Sequence, residues 1–260
     1  MIGIVYLVVY LVIKMKKLIS VFVLSFCLGT AMLFCSCFCF SKQIITIGSL
    51  AYTNHPSEYT VFLLERNQYI PYLVLTDNYN SNGKTLLLRK DVLPQPLRIN
   101  DYYSYYNKSE IDFYLNSDYL SLLSNNQFDI ISTSLKISTK SSIGSCGKET
   151  ETIERKVFLL SCTELGLDDL INCGNEGEPL SFFSENSRVA LNGKKFYSWW
   201  LRSPNTYFDS ASYVIGSNNK VGTANSSDEN GIRPAFCVDS YLKIQKSKDV
   251  FFDRDVFIFS

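Results

Sequence analysis

Two arginines set among tryptophans and prolines are the side chains best placed for chemistry in this sequence. Tyr197-Ser198-Trp199-Trp200-Leu201-Arg202-Ser203-Pro204 carries the first, and Gly231-Ile232-Arg233-Pro234-Ala235 the second. A guanidinium presents a rigid fork of N–H donors that grips carboxylates and carbonyls. A neighbouring indole adds a flat apolar face, and aromatic faces beside polar loops suit sugars and peptides. Side chains along a strand alternate sides, so Trp199 and Leu201 share one face and Trp200 and Arg202 the other. The expectation is a core face carrying Trp199 and a half-open face carrying Trp200. If the segment binds a ligand, Trp200 and Arg202 border a surface completed by Asn205, Tyr207 and Asp209 and by the polar stretch Thr223 to Asn230. If it is structural, Trp199, Trp200, Arg202 and Arg233 all brace the fold, with Leu201, Pro204, Gly231 and Pro234 as the rest of the motif. The constellation then marks a fold rather than an active site.

Other reactive groups are few. His55 is the sole histidine and stands beside Pro56, which leaves no His-based triad. Asp253 and Asp255 fall on one strand face near Asp249, but Arg254 and the apolar flanks describe a solvated edge. Calcium takes about six to eight oxygens, and no loop has an EF-hand spacing; Asp209, Asp228 and Glu229 reach a common site only through folding. No C-x-x-C pair occurs among Cys146, Cys162, Cys173 and Cys237, so zinc is not expected. No other metal and no cofactor is expected either. These four cysteines do allow disulfides in an exported domain, with the pairing left open.

The N-terminal segment argues for export. Met1 to Ile13 is almost wholly apolar, Lys14-Met15-Lys16-Lys17 interrupts it, and Leu18 to Phe40 is apolar again. A positive stretch, an apolar run and small residues have the form of a secretory signal, with Met15 as the true start. The alternative is a retained membrane segment, since a bilayer takes about 20 residues and Leu18 to Phe40 is long enough. Cys37, behind Phe34-Cys35-Ser36, is the candidate for lipidation. The expected location is extracytoplasmic, secreted or anchored to a bacterial envelope, with membrane association through residues 1–40. Lysine and arginine total 25, as do aspartate and glutamate, so no basic field exists to hold a phosphate backbone. Nucleic acid is therefore not expected as a partner.

The elements that must position the motif follow a lead-in over 41–57. Aromatics make up 14% of the 260 residues, a bias toward strands. Tyr59 to Leu64, Tyr69 to Leu75 and Lys84 to Leu88 read as strands, with a turn at Asp77 to Gly83. Pro71 points to an edge strand or a strand start. Ser109 is a helix N-cap, followed by Ile111, Tyr114, Leu115, Tyr119, Leu122 and Leu123 at helical spacing. Asp129 to Ile137 is strand-like, Ser138 to Thr152 a surface loop, and Lys156 to Ser161 a short apolar strand. A hairpin over 211–222 and a strand over Gly231 to Val238 complete a domain spanning 58–240. Residues 241–260 form a tail with a last strand.

In this order the segments Leu86-Leu87-Leu88-Arg89-Lys90-Asp91, Ile111 to Asn116, Val157-Phe158-Leu159-Leu160-Ser161, Trp199 to Pro204 and Gly231 to Ala235 resemble domain-of-unknown-function family 6273. Ile70 to Leu75 matches its opening strand, except that Tyr72 replaces a tryptophan; Phe113-Tyr114 departs from the lead of its helix. The resemblance implies an α+β fold of C-type-lectin-like form: a twisted, mostly antiparallel sheet with one or two helices and long loops. Formylglycine-generating enzymes and phage receptor-binding variable proteins share that fold. The expected function is that of an exported, non-catalytic binding or surface domain for an extracellular glycan or protein. The alternatives are a remote thiol enzyme of the formylglycine-generating type, with Cys237 behind the Arg-Pro-Ala motif, and a structural domain of an envelope or phage-derived assembly. Fold-level likeness by itself does not decide among these.

Overall fold

Alternating and continuous apolar runs build one large sheet, most of whose pairings are antiparallel. The computed structural model describes residues 44–52, 60–140, 146–167, 173–207, 210–249 and 254–259. Residues 1–40 with Cys37, His55, Asp209 and Asp253 lie outside them. In spatial order the sheet runs β1 (Ile44–Thr46), β14 (Lys243–Asp249), β15 (Arg254–Phe259), β2 (Thr60–Glu65), β3 (Gln68–Thr76), β4 (Lys84–Arg89), β13 (Ala235–Asp239) and β7 (Val157–Phe158). Only the β15–β2 contact is parallel among these pairs. Smaller sheets are formed by β5 (Thr133–Lys140) with β6 (Cys146–Arg155), by β8 (Ala190–Asn192) with β9 (Lys195–Tyr197), and by β10 (Trp199–Pro204), β11 (Ala211–Ile215) and β12 (Val221–Asn225).

Helices are few and short: α1 (Glu110–Tyr114), a π turn over Leu115–Tyr119, α2 (Leu120–Leu122) and α3 (Phe182–Glu185), besides short 3-10 turns. Ser109 caps α1 as its sequence predicts, its Oγ accepting from Asp112 N at 3.2 Å. Ile111, Leu115, Tyr119 and Leu123 from this helical run are buried against the sheet. Among the described residues no helix is long and apolar enough to cross a membrane. The protein is thus sheet-rich α+β.

Three elements differ from expectation. Pro71 sits in an interior strand, because β3 lies between β2 and β4. Proline is tolerated there because its carbonyl accepts from Lys90 N at 2.9 Å, beyond the last residue of β4. The position that lacks a donor therefore falls past the ladder. The surface loop expected over Ser138 to Thr152 instead supplies β6, paired with β5 through Leu135↔Ile153 and Ile137↔Glu151. Burial of Leu135, Ile137 and Ile153 on one face outweighs the polar composition of the other. The strand expected from Gly231 begins only at Ala235. Residues 241–260 are built into the sheet, since β14 and β15 stand between β1 and β2.

Candidate functional site

The Trp-Trp-Leu-Arg-Ser-Pro strand is buried along its whole length, which corrects the half-open face expected for it. The reason is that both edges of β10 are occupied. β11 pairs along one, while Trp199 bridges Gly231 and Arg202 N donates to Leu160 O at 2.9 Å. Alternation in a strand chooses between two faces, but here both faces are covered. Trp199 donates from Nε1 to Arg188 O at 2.9 Å, and the Arg233 guanidinium lies 5.1 Å from the Trp199 ring. Arg233 Nε donates to Arg89 O at 2.9 Å. Burial pulls its pKa down to about 9, with Asp91 opposing and the Arg89 cation adding to the fall. Gly231 is required by close approach, as a Cβ there would stand 2.7 Å from Ser198 O and from Val92 Cγ1.

Arg202 is the hub of a buried network. Its Nη1 and Nη2 each meet one Glu164 oxygen at 2.8 Å, a bidentate pair with both side chains fully buried. The remaining donors reach the carbonyls of Leu159 (2.7 Å), Glu176 (2.6 Å) and Lys136 (3.2 Å). Tyr79 OH donates to Glu164 Oε1 at 2.5 Å and Ser161 N to Oε2 at 2.9 Å. Burial, the largest single influence, lowers the Arg202 pKa, but Glu164, Tyr79 and Glu176 together outweigh it and the net shift is upward. Glu176 lies beside this pair, accepting from Ser138 N (2.7 Å), Ser138 Oγ (2.8 Å) and Ser203 Oγ (2.5 Å). Burial raises its pKa, against Arg202 and these donors. Arg202 and Glu176 lie among the lining of a cleft of about 340 Å³, together with Tyr79, Asn80, Leu135, Lys136 and Glu178. Every donor of Arg202 is already engaged, so its guanidinium is a brace rather than a ligand contact.

Trp200 also braces, but beneath an exposed surface. It is fully buried, and its Nε1 donates to Leu97 O at 2.8 Å. Leu97 exchanges two backbone hydrogen bonds with Asn230, both 3.1 Å. Asn100 N then donates to Ser226 O, and Ser226 N to Ser210 O. Three segments, 97–104, 205–207 with 210–211, and 225–230, are thereby tied together above the motif. Asn205 is buried within them; its Oδ1 accepts from Tyr207 N at 2.9 Å and its N donates to Ala211 O at 2.8 Å. Tyr207 points out and is 74% exposed. Tyr102 and Tyr103 are also exposed and stand edge to face at 6.5 Å, with Lys140 Nζ 4.5 Å from the Tyr103 ring. Asn225, Ser227, Asp228 and Glu229 are exposed beside them. Of the expected surface residues, Tyr207 is exposed, Asn205 is structural, Trp200 and Arg202 are buried, and Asp209 lies outside the described residues. Tyr102 and Tyr103 were not among the expected residues. Their signal was the tyrosine-rich polar run Asn100 to Lys108, which no motif flagged.

A family model described as Domain of unknown function (DUF6273) matches residues 82–240. This chain belongs to that family. No curated protein and no solved structure matches it. The match takes in the expected motifs from Leu86 to Ala235, and so both the Arg202 hub and the loops above Trp200, while Ile70 to Leu75, expected as the opening strand of the pattern, lies before it.

The two positions expected to depart from the family pattern serve the fold differently. Tyr72, ahead of the matched residues, is buried, and its hydroxyl donates to Glu65 and lies 2.5 Å from Tyr119 OH. Arg89 Nε completes the group at 2.8 Å from Glu65. The hydroxyl that distinguishes Tyr72 thus has its own partners in the core. Phe113 is 73% exposed and packs little. Among the described residues no three metal-ligating side chains converge. The disulfides allowed by the sequence are absent: among the described residues none of Cys146, Cys162, Cys173 and Cys237 is in a disulfide. Cys237 is buried in β13, and burial pushes its pKa up to about 12, which suppresses thiolate chemistry there.

Proposed function

We propose that this protein is an exported, non-catalytic binding domain that holds an extracellular ligand on the loop surface above Trp200. The observation that carries this is the backbone cross-linking of segments 97–104, 205–207 with 210–211, and 225–230 beneath the exposed rings of Tyr102, Tyr103 and Tyr207. Tyrosines supply large contact area at low conformational cost, and neighbouring Asn and Ser groups supply adaptable hydrogen bonds. Loops held by buried anchors lose less entropy on binding than free ones. Flat rings beside amides and hydroxyls favour a glycan as the ligand, with a protein surface as the second outcome. A C-type-lectin-like fold accords with the mostly antiparallel sheet, the few short helices and the long loops. Export rests on the composition of residues 1–40.

Glycan and protein arrays probed with the wild-type chain and with Tyr102→Ala/Tyr207→Ala test the binding reading. The expected result is binding to one ligand class, weakened at least about tenfold in the double variant, an exposed change that leaves the fold intact. Equal binding by both chains would sink the assignment of this surface. The mass of the mature protein tests export: loss of the segment ending near residue 40 is expected.

A further inference from the structure

Cys162 and Cys173 meet although eleven positions of sequence separate them. The Cys162 thiol is fully buried and lies within interaction range of the side chain of Cys173, which is partly exposed and donates to Gly174 O at 3.3 Å. The segments that carry them are also joined by bonds that do not involve the sulfurs. Glu176 N donates to Thr163 Oγ1 at 3.3 Å, and Ser161 Oγ donates to Glu176 O at 3.3 Å. The strap over 173–178 closes on the Arg202 hub, whose Nη2 donates to Glu176 O at 2.6 Å. It also presses on β6, where a Cβ at Gly174 would stand 2.7 Å from Lys148 O. The other thiols sit elsewhere: Cys146 faces Ser104 Oγ at 3.8 Å, and Cys237 is enclosed in β13 opposite Leu86.

The geometry points to Cys162 and Cys173 as a redox pair whose disulfide locks the 173–178 strap over the Arg202–Glu164 hub. An external disulfide supplies the oxidising equivalents. Cys173 Sγ, the accessible sulfur, attacks it, forms a mixed disulfide and releases one thiol. Cys162 Sγ then attacks the Cys173 sulfur and expels the second thiol. The pair gives up two hydrogens, and the external disulfide becomes two thiols. Burial, followed by the contact with Cys173, raises the Cys162 pKa, so Cys162 serves as the resolving thiol rather than the first nucleophile. Unlike the loop-surface reading, this inference does not depend on any ligand.

The full-length chain equilibrated with oxidised glutathione, alkylated under denaturing conditions and digested with trypsin tests it. Cys162 and Cys173 share the tryptic peptide Val157 to Arg188, which contains no internal lysine or arginine, whereas Cys146 and Cys237 fall on other peptides. The expected product is that peptide, unalkylated and lighter by two hydrogens, with Cys146 and Cys237 alkylated. Oxidation should raise the thermal midpoint by about 5–10 °C, and Cys173→Ser should remove that shift. A peptide fully alkylated after oxidation, a link to the Cys146 or Cys237 peptide, or an undiminished shift in Cys173→Ser would each overturn the pair.

Discussion

Trp200 Nε1 reaches Leu97 O at 2.8 Å across 103 positions of sequence, and this bond joins the family's most distinctive strand to the exposed loops. The indole fills a closed site below, while its one polar atom fixes the start of the loop bearing Tyr102 and Tyr103. Binding residues are commonly carried by loops that a rigid scaffold positions. Here the scaffold is the motif itself.

Replacing Trp200 separates its two roles. Trp200→Phe keeps most of the ring and removes the donor, leaving Leu97 O with only its bond from Asn230 N; a loss of about 0.5–1.5 kcal/mol is expected. Trp200→Ala adds a cavity and should cost about 3–5 kcal/mol. Urea denaturation measures both, and amide exchange should show faster opening over residues 97–104 in Trp200→Phe. Unchanged exchange there would argue that the bond does not hold the loop.

The Arg202–Glu164 pair should be costly to halve and only partly replaceable. Arg202→Met strands a buried carboxylate and should lose about 3–5 kcal/mol. Arg202→Met/Glu164→Leu removes that charge, yet it leaves the carbonyls of Lys136, Leu159 and Glu176 without their shared donor. The double variant is therefore expected between the single variant and the wild type. A double variant as stable as the wild type would show that the carbonyl contacts contribute little.

Glu176 should make stability fall as pH rises. Its folded pKa lies above the ordinary 4.5, chiefly through burial, so the fold favours the protonated form. That contribution is fully present below 4.5 and is lost as pH climbs through the raised folded value. Glu176→Gln keeps a neutral acceptor for Ser138, turns an N–H donor toward Ser203 Oγ, and removes the titration. Denaturation midpoints from pH 4 upward should decline less steeply in Glu176→Gln than in wild type. Parallel pH profiles would contradict the raised pKa.

Much of the scaffold was legible from local pattern. The strands around Val61, Leu73 and Leu87, the Ser109 cap and the hairpin after Ala211 follow from alternation, capping chemistry and turn residues, which act over a few positions. β6 was missed because five of its residues, Lys148 to Thr152, are charged or threonine, and only pairing with β5 shows which face is covered. Tyr102 was missed as a surface residue for a related reason. Nothing local distinguishes an exposed tyrosine from Tyr106 four positions later, which is buried with its hydroxyl on Leu159 N.

By itself the sequence determined the family and the sheet-rich class, because residue type and spacing carry those properties. Only the tertiary structure decided where Trp200 and Arg202 face, which carboxylate Arg202 takes, and that Cys162 lies against Cys173. Each of these depends on contacts between segments far apart in the chain. A strand's alternation names two faces, and long-range packing determines whether either one is left to solvent.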